Sequence, residues 1–299
     1  VLASGTHFSK YYGYTSNEIK SENIKIDFKL KQEIITKNSI GISKIISQFI
    51  NQVTIILNKV TPDLVVLLGD RYEILGAAVA AHISRIPIAH IHGGELTSGI
   101  IDDAFRHSIT KMSQLHFVSN KIYRKRVIQL GENPDTVYVV GGMGVESIKN
   151  TKFISQKKIE KKLKIKFLKK NLLINFHPET LRKGEAKYQV KELINALKTL
   201  KNTCLIFTMP GAEVENKLIL GEIKKFVKNN KNSYYFRSLG QQNFFSILKT
   251  VDAMVGNSSS GLLEMPTFKK ATLNLGDRQL GRMKSESVID ANIKKKDII

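Results

Sequence analysis

Short apolar runs alternate with longer amphipathic stretches from about residue 40 onward, and this alternation constrains the fold more than any other feature of the chain. The short runs have the character of strands in a parallel sheet, and the longer stretches have the apolar spacing of helices. Strands that alternate with helices form parallel sheets through right-handed crossovers. The chain is therefore predicted to be an α/β protein with two Rossmann-like, doubly wound domains that face a cleft.

The first predicted domain spans residues 1–150 and the second spans 151–299, with the boundary in the lysine-rich segment 149–170. Pro62 ends the first predicted helix, because proline cannot continue one. The run Leu64–Leu68 is predicted to be a fully buried strand. The predicted strands lie at 64–68, 86–91, 115–118, 136–140, 171–176, 204–208, 233–236, 253–255 and 271–275. The predicted helices lie at 40–59, 72–85, 102–113, 120–130, 187–200, 213–229, 241–250 and 259–267.

The composition narrows the class of protein. With 299 residues, of which 42% are hydrophobic and 24% charged, the chain is typical of a soluble globular protein. No uninterrupted apolar run approaches the length of a membrane span and there is no basic-then-apolar leader, so a cytoplasmic protein is expected. The net charge of +21 comes from scattered lysines without interleaved aromatic residues, which favours an anionic, nucleotide-type ligand over nucleic acid. The single cysteine, Cys204, excludes a disulfide framework.

Conspicuous polar residues follow nearly every predicted strand. In doubly wound sheets, ligands bind outside the carboxyl ends of the strands, so these residues are predicted to line the binding site. They are Gly69–Arg71, His92–Glu95, Gly141–Gly144, His177–Thr180, Met209–Gly211, Gly256–Gly261 and Gly276–Arg278.

The segment Gly256–Gly261 leaves a strand and opens a helix, which suits an anion at the positive helix end. The alternative is a plain serine N-cap. Glu264, one turn further on, could bind ribose hydroxyls or cap its own helix. Arg278, after the next strand, is a candidate partner for a diphosphate.

Several carboxylates and a histidine are candidates for proton transfer. Asp70 ends an apolar strand beside Arg71, and could act in acid/base chemistry or cap the helix at 72–85. Asp102 and Asp103 open the next helix, where a local salt-bridged helix start with Arg106 and His107 is the alternative. His177, which follows a buried strand, is either a loop histidine or an acid/base group near a phosphate.

The stretch "IAHIHGGE" (Ile88–Glu95) places His90 and His92 on one face of a predicted strand, as a metal chelate would require. No HExxH, CxxC or acidic triad accompanies them, so proton transfer is favoured over metal binding. The glycine pair predicts room for a sugar against the backbone. Because no P-loop and no GxGxxG directly after a strand are present, neither ATP hydrolysis nor a nicotinamide cofactor is expected.

The chain resembles the hydrolysing UDP-N-acetylglucosamine 2-epimerases of bacterial sialic and legionaminic acid synthesis. The similar motifs are "LLGDRYEILGAAVAA", "HIHGGE", "DDAFRHSITKMSQLHFVSN", "VVGGMGVE", "NFHPET" and "GNSSSGLLEMPTFKKATLNLGDRQLGR", which cover essentially the whole chain in order. The resemblance implies a two-domain fold of the GT-B type, a UDP-sugar substrate, no cofactor and a homo-oligomer.

It also implies a reaction, in which UDP is eliminated across C1 and C2 of the sugar and water then adds to give the free 2-epimer. The predicted substrate is UDP-N-acetylglucosamine, with the 2,4-diacetamido-2,4,6-trideoxy analogue as an alternative within the family and a GT-B glycosyltransferase as a different activity. The catalytic residues that it implies are Asp70, His92, Glu95, Asp102 and His177. The substrate-binding residues that it implies are Arg71, Ser258, Ser259, Gly261, Glu264 and Arg278.

The chain departs from the family in two ways. Relatives that read HIEGGE carry a catalytic glutamate where this chain has His92, so either His92 or Glu95 is expected to take that role. The opening strand and nucleotide-contacting loop of the family, and its closing helices, are not matched. The first domain is therefore expected to be incomplete at its start and the second at its end.

Overall fold

The structure, a computed structural model, describes residues 1–30, 38–182 and 184–299. The chain divides into two units: a four-stranded unit, Gln32–Glu146, and a six-stranded unit made of Val1–Lys31 together with Ser147–Ile299. The predicted domain division after residue 150 stays a prediction.

The described helices and strands follow the predicted alternation. The strands are β1 Leu2–Ser4, β2 Phe28–Leu30, β3 Val65–Leu68, β4 Ile88–Ile91, β5 Leu115–Val118, β6 Val137–Val139, β7 Lys170–Asn175, β8 Thr203–Thr208, β9 Ser233–Phe236, β10 Ala253–Gly256, β11 Ala271–Leu275 and β12 Val288–Ala291. The helices are α1 Ser16–Ser21, α2 Ser39–Val60, α3 Tyr72–Ile83, α4 Asp102–Met112, α5 Lys121–Gln129, α6 Met143–Asn150, α7 Gln156–Leu163, α8 Ala186–Leu197, α9 Asn216–Lys228, α10 Gln241–Thr250, α11 Ser260–Leu263 and α12 Lys295–Ile298.

The sheet of the four-stranded unit has the order β3-β4-β5-β6 with every pair parallel. The prediction that the first of these strands is fully buried is wrong, because Val66 and Leu68 are 61% and 49% exposed. β3 is an edge strand of this sheet, and only Leu67, on its other face, is buried. One face of this strand is therefore packed and the other is open.

Helix α2 packs on the four-stranded unit through a stripe of apolar residues, Ile45, Phe49, Val53 and Leu57, spaced as one helical face. The close approach to α3 needs Gly76, where an added Cβ would lie 2.9 Å from Cβ of Phe49. By length and composition α2 is also the one described helix that could cross a membrane, although polar residues interrupt its apolar sequence. Its buried stripe is that of a core helix.

The six-stranded unit has the parallel order β12-β11-β10-β7-β8-β9. Neighbouring residues of β7 lie in different apolar clusters: Ile174 packs with α8 and α9, and Leu173 packs with α10. Helices therefore cover both faces, as in a doubly wound sheet. Residues 1–30 add a separate parallel pair, β1 with β2.

Three differences from the predicted elements have local causes. The helix expected at 259–267 breaks into α11 and a 3-10 turn, Met265–Phe268, because Pro266 has no N–H to donate to the preceding turn. Strand β12 was not predicted, since half of its residues are polar or small. Helix α6 runs into the predicted boundary segment and α7 lies within it, where the four lysines of α7 resemble a linker.

Candidate active site

The turn after β3 is held by a buried histidine, His90 of β4. Its Nε2 lies 2.8 Å from the carbonyl oxygen of Gly69, a residue with φ of +84°, and its Nδ1 lies 3.1 Å from the hydroxyl of Thr110. Because Nε2 must donate to the carbonyl, the neutral ring has its lone pair on Nδ1, next to the Thr110 hydroxyl. Burial, with smaller contributions from neighbouring histidines, lowers the pKa of His90 to about 4. His90 thus stabilises the backbone turn that precedes Asp70.

Stability is expected to fall as the pH drops from about 6.5 to about 4, since the unfolded chain protonates His90 in that window and the folded chain does not. The full effect is about 3 kcal/mol in the free energy of unfolding. His90→Gln should remove that part of the slope in urea titrations at a series of pH values. The exposed His82→Gln is the control. If the slope of His90→Gln equals that of the wild type, His90 titrates normally in the fold.

Asp70, at the end of β3, forms an ion pair with Arg106 of α4. Arg106 is 1% exposed and also donates to the carbonyl of Glu95 at 2.8 Å and to the hydroxyl of Thr97 at 3.0 Å. The capping alternative for Asp70 is wrong, because the N-cap of α3 is Arg71 and no side chain caps it. A buried guanidinium therefore fixes the direction of the Asp70 carboxylate.

Arg71 points to local partners. Its Nε lies 3.5 Å from Glu73, and its guanidinium lies 4.8 Å from the ring centre of Tyr72. The ion pair of Asp70 that the structure shows is with Arg106. The substrate-binding role of Arg71 stays a prediction.

Of the two aspartates that open α4, Asp103 joins the cluster around Asp70. Its carboxylate lies 3.3 Å from Nη1 of Arg106, accepts the backbone N–H of Thr97, and lies 3.7 Å from Nε2 of His107. The salt-bridged helix start is thus confirmed for Asp103, and Arg106 connects it to Asp70. Asp102 is 5% exposed. Its catalytic role stays a prediction.

His92 and Glu95 are paired. Nδ1 of His92 lies 2.7 Å from Oε1 of Glu95, and the hydroxyl of Ser119 lies 3.4 Å from the same oxygen. The side chain of Glu95 is 3% exposed and that of His92 is 19% exposed, so the carboxylate lies behind the ring. A ring that donates from Nδ1 to a carboxylate has its lone pair on Nε2 when neutral.

The metal-binding alternative assumed that His90 and His92 lie on the same face of one strand, but the strand ends before His92. β4 ends at Ile91, and His92 has φ of +67°, so the period of two no longer relates it to His90. Among residues 1–30, 38–182 and 184–299, no group of three or more histidine, cysteine, aspartate or glutamate side chains could hold a metal ion.

The glycine pair of this stretch does not leave space for a ligand. A Cβ on Gly94, which has φ of +77°, would lie 2.6 Å from the carbonyl oxygen of Tyr123. A Cβ on Gly93 would lie 3.0 Å from the hydroxyl of Thr110 and 3.1 Å from Nδ1 of His90. The expectation of room for a sugar here is therefore wrong, because the unit's own helices fill that space.

In the six-stranded unit, Asn257 connects the ends of several strands. Its Oδ1 accepts the backbone N–H of His177 at 2.7 Å, and its Nδ2 donates to the carbonyl of His177 at 2.9 Å. Its own carbonyl accepts from Nη1 of Arg278 at 3.2 Å and from Gln279 at 2.8 Å. Fully buried, Asn257 places His177 and Arg278 at the same edge of the sheet.

The His177 ring is oriented from its Nδ1 side. The backbone N–H of Gly211 donates to Nδ1 at 2.9 Å, so the neutral ring carries its proton on Nε2. Oε2 of Glu213 lies 3.8 Å from the same nitrogen, and Oε1 of Glu213 lies 3.2 Å from Nη2 of Arg278.

The turn that carries Arg278 is supported by Glu179, which is 3% exposed. Its Oε1 accepts the backbone N–H of Asp277 at 2.6 Å and that of Arg278 at 3.1 Å, while Oε2 accepts from Gln189 at 2.9 Å. The glutamate that follows the His-Pro pair is therefore structural.

The serine loop begins where β10 and β7 approach most closely. A Cβ on Gly256, which has φ of +144°, would lie 2.0 Å from the carbonyl oxygen of Asn175. Ser258 is nearly buried, and its hydroxyl accepts the backbone N–H of Ser260 at 3.3 Å. Because the four-residue α11 is a single turn, the expected contribution of a helix dipole to anion binding is weaker than predicted.

Two further predicted ligands end this loop. A Cβ on Gly261 would lie 2.6 Å from Cγ2 of Thr272, and its carbonyl accepts from the Thr272 hydroxyl at 2.7 Å, so Gly261 packs α11 on β11. Glu264 follows α11 directly and precedes the 3-10 turn. The binding roles of Ser258, Ser259, Gly261 and Glu264 stay predictions.

Sequence reasoning did not assign site roles to the buried residues that connect the others. Arg106 was interpreted as part of a local helix salt bridge, and Asn257 received no role of its own within the segment Gly256–Gly261. The available signal was their presence within the motifs, because Asp70 lies 36 residues from Arg106 in the chain, and Arg278 and His177 lie 21 and 80 residues from Asn257.

Solved structures identify the class of fold. UDP-N-acetylglucosamine 2-epimerase from Neisseria meningitidis, bound to UDP-N-acetylglucosamine, superposes with a TM-score of 0.80 at 20% identity, over 100% of this chain and 81% of that one. The predicted α/β fold with two Rossmann-like domains of the GT-B type is thereby confirmed.

Sequence comparison identifies the family. The family model described as UDP-N-acetylglucosamine 2-epimerase matches residues 1–299. A GDP/UDP-N,N'-diacetylbacillosamine 2-epimerase (hydrolyzing) from Campylobacter jejuni is 42% identical over 98% of this chain and 76% of its own length. Polysialic acid biosynthesis protein P7 from Escherichia coli is 38% identical, over 100% and 76% respectively. The chain belongs to the UDP-N-acetylglucosamine 2-epimerase family.

Proposed function

We propose that the protein is a hydrolysing 2-epimerase that converts a UDP-linked N-acetylated hexosamine into UDP and the free 2-epimer. The observation that carries the proposal is that Nδ1 has the opposite hydrogen-bond role in two histidines. His92 donates from Nδ1 to Glu95, whereas His177 accepts at Nδ1 from Gly211. In the neutral rings, Nε2 of His92 is therefore a proton acceptor, and Nε2 of His177 carries a proton.

Elimination needs both kinds of group. A base takes the proton from C2 of the sugar, the C1–C2 double bond forms, and the bond from C1 to the diphosphate oxygen breaks. Water then adds its oxygen to C1, and a proton is delivered to the opposite face of C2. Because the configuration at C2 inverts, two proton-transfer groups are needed there. We assign these roles to His92, which is hydrogen-bonded to Glu95, and to Asp70, which is paired with Arg106.

The departing diphosphate needs hydrogen-bond donors and positive charge. We assign this role to the Nε2–H of His177, to Arg278, and to the hydroxyls of Ser258 and Ser259. The shared attachment of His177 and Arg278 to Asn257 supports a single anion site formed by these residues.

For the sugar, we propose the 2,4-diacetamido-2,4,6-trideoxyglucose nucleotide (UDP-N,N'-diacetylbacillosamine) as the preferred substrate, since the 42% identical relative carries that sugar in its name. UDP-N-acetylglucosamine is the second candidate, since a 29% identical relative from Neisseria meningitidis carries that sugar nucleotide in its name. The comparison of kcat/KM for these two, and for GDP-N,N'-diacetylbacillosamine, decides between them.

The reaction is tested by incubating the protein with each sugar nucleotide in D₂O. We expect release of the nucleoside diphosphate and a free 2-epimer with deuterium at C2, detected by NMR. Free sugar with unchanged configuration and no deuterium would show simple hydrolysis and refute the elimination. Turnover only when an acceptor sugar is added would indicate a glycosyltransferase instead.

A further inference from the structure

The segment at the start of the chain contacts the loop that orients His177, through one buried side chain, Asn216. Asn216 is the first residue of α9 and is 4% exposed. Its Nδ2 donates to the carbonyl of Gly211 at 3.0 Å and to the hydroxyl of Tyr12 at 3.1 Å. The two amide hydrogens thus have one acceptor each.

Both backbone polar groups of Gly211 are hydrogen-bonded. Its N–H donates to Nδ1 of His177 and its carbonyl accepts from Asn216. An added Cβ at this position would lie 2.3 Å from the Glu213 carboxylate, so a side chain here would have to displace that carboxylate. A glycine has the most backbone freedom of any residue, so these two bonds keep its N–H on the ring.

Glu213 competes with Gly211 for the same ring nitrogen. Its Oε2 lies 3.8 Å from Nδ1 of His177, and a carboxylate at that nitrogen favours the Nδ1–H form. The Gly211 N–H favours the Nε2–H form. The tautomer of His177 is therefore decided by whether Gly211 stays in place.

We propose that Asn216 is a positioning residue that fixes the His177 ring as its Nε2–H tautomer by anchoring Gly211, and that Tyr12 supports Asn216. Its consequence for turnover rests on the proposed function, in which the Nε2–H of His177 donates to the departing diphosphate. Loss of Asn216 lets Gly211 rotate away, and Glu213 then draws the proton to Nδ1.

The test measures the ring directly in the full chain labelled with ¹⁵N-histidine. Long-range ¹H–¹⁵N spectra report which nitrogen carries the proton, and the His177→Gln spectrum assigns the signals. We expect Nε2–H in the wild type and a shift towards Nδ1–H in Asn216→Ala. The exposed Asn195→Ala, on α8, is the matched control. Tyr12→Phe should shift the tautomer in the same direction but less than Asn216→Ala, because the bond from Asn216 to Gly211 remains while the support from the Tyr12 hydroxyl is lost.

Turnover gives a second readout. Asn216→Ala should lower kcat for nucleotide release by roughly 10- to 100-fold with a smaller change in KM, the size expected from a misplaced group. Asn216→Ser, which keeps a hydroxyl donor, should recover part of the loss, and it replaces the alanine variant if that one does not fold.

Two results would overturn the inference: a wild-type His177 with its proton on Nδ1, or an unchanged tautomer in the folded Asn216 variants. The spectra need no substrate. A wild type that releases no nucleotide from any sugar nucleotide would refute the proposed function, while the tautomer would still decide the role of Asn216.

Discussion

The Asp70→Asn variant is expected to lose roughly 10²- to 10⁴-fold in kcat, the range for removal of a proton-transfer group. Asparagine has nearly the shape of aspartate, and its Oδ1 can still accept from Arg106, so the variant should fold and bind substrate with little change in KM. What it lacks is an oxygen that can take or return a proton. Nucleotide release, followed by anion-exchange chromatography, measures the loss.

The same substitution at Asp135, an exposed aspartate of the same unit, is the control and should leave kcat unchanged. Deuterium exchange at C2 in the presence of UDP and the free 2-epimer separates the two roles available to Asp70. If Asp70→Asn turns over at the wild-type rate, Asp70 takes no part in proton transfer and its ion pair with Arg106 is only structural.

His92→Ala is expected to cost roughly 10²- to 10⁴-fold in kcat, and Glu95→Gln only about tenfold. The reason is their difference in exposure. The His92 side chain is partly exposed, whereas Glu95 is almost fully buried and orients the His92 ring through Nδ1. A glutamine at 95 still accepts from Nδ1, whereas an alanine at 92 leaves no base. Both values come from initial rates of nucleotide release at saturating substrate.

Added imidazole should restore part of the activity of His92→Ala and none of that of Asp70→Asn. The exposed His82→Ala serves as the control for histidine loss. A larger loss in Glu95→Gln than in His92→Ala would reverse the assignment and make Glu95 the group that replaces the family's glutamate.

Most of the fold could be predicted from periodicity, because strands such as β5, β9 and β11 have sharp apolar boundaries. The exposure of β3 could not, because an apolar sequence does not say whether a strand lies at the edge of its sheet. The break after α11 is caused by Pro266, a helix-ending signal that the sequence contains.

The sequence predicted which strand ends carry the candidate site residues, but it did not predict the contacts between those residues. The sequence left His92 and Glu95 as alternatives, whereas the structure pairs them, since the left-handed backbone at His92 turns the chain back so that Glu95 meets its ring. Likewise, Asp103, three residues before Arg106, contacts its guanidinium. Contacts of this kind depend on backbone angles and distant helices, which one sequence does not specify.

The carboxylate of Glu179, at the end of β7, supports a turn at the end of β11, with β10 between the two strands. This arrangement limits how the turn could be redesigned. Because the bonds come from backbone N–H groups, a transplanted 276–278 turn keeps its support only if position 179 stays glutamate and neither 277 nor 278 becomes proline. Residues that are almost 100 positions apart in sequence therefore have to be inherited, or engineered, as one module.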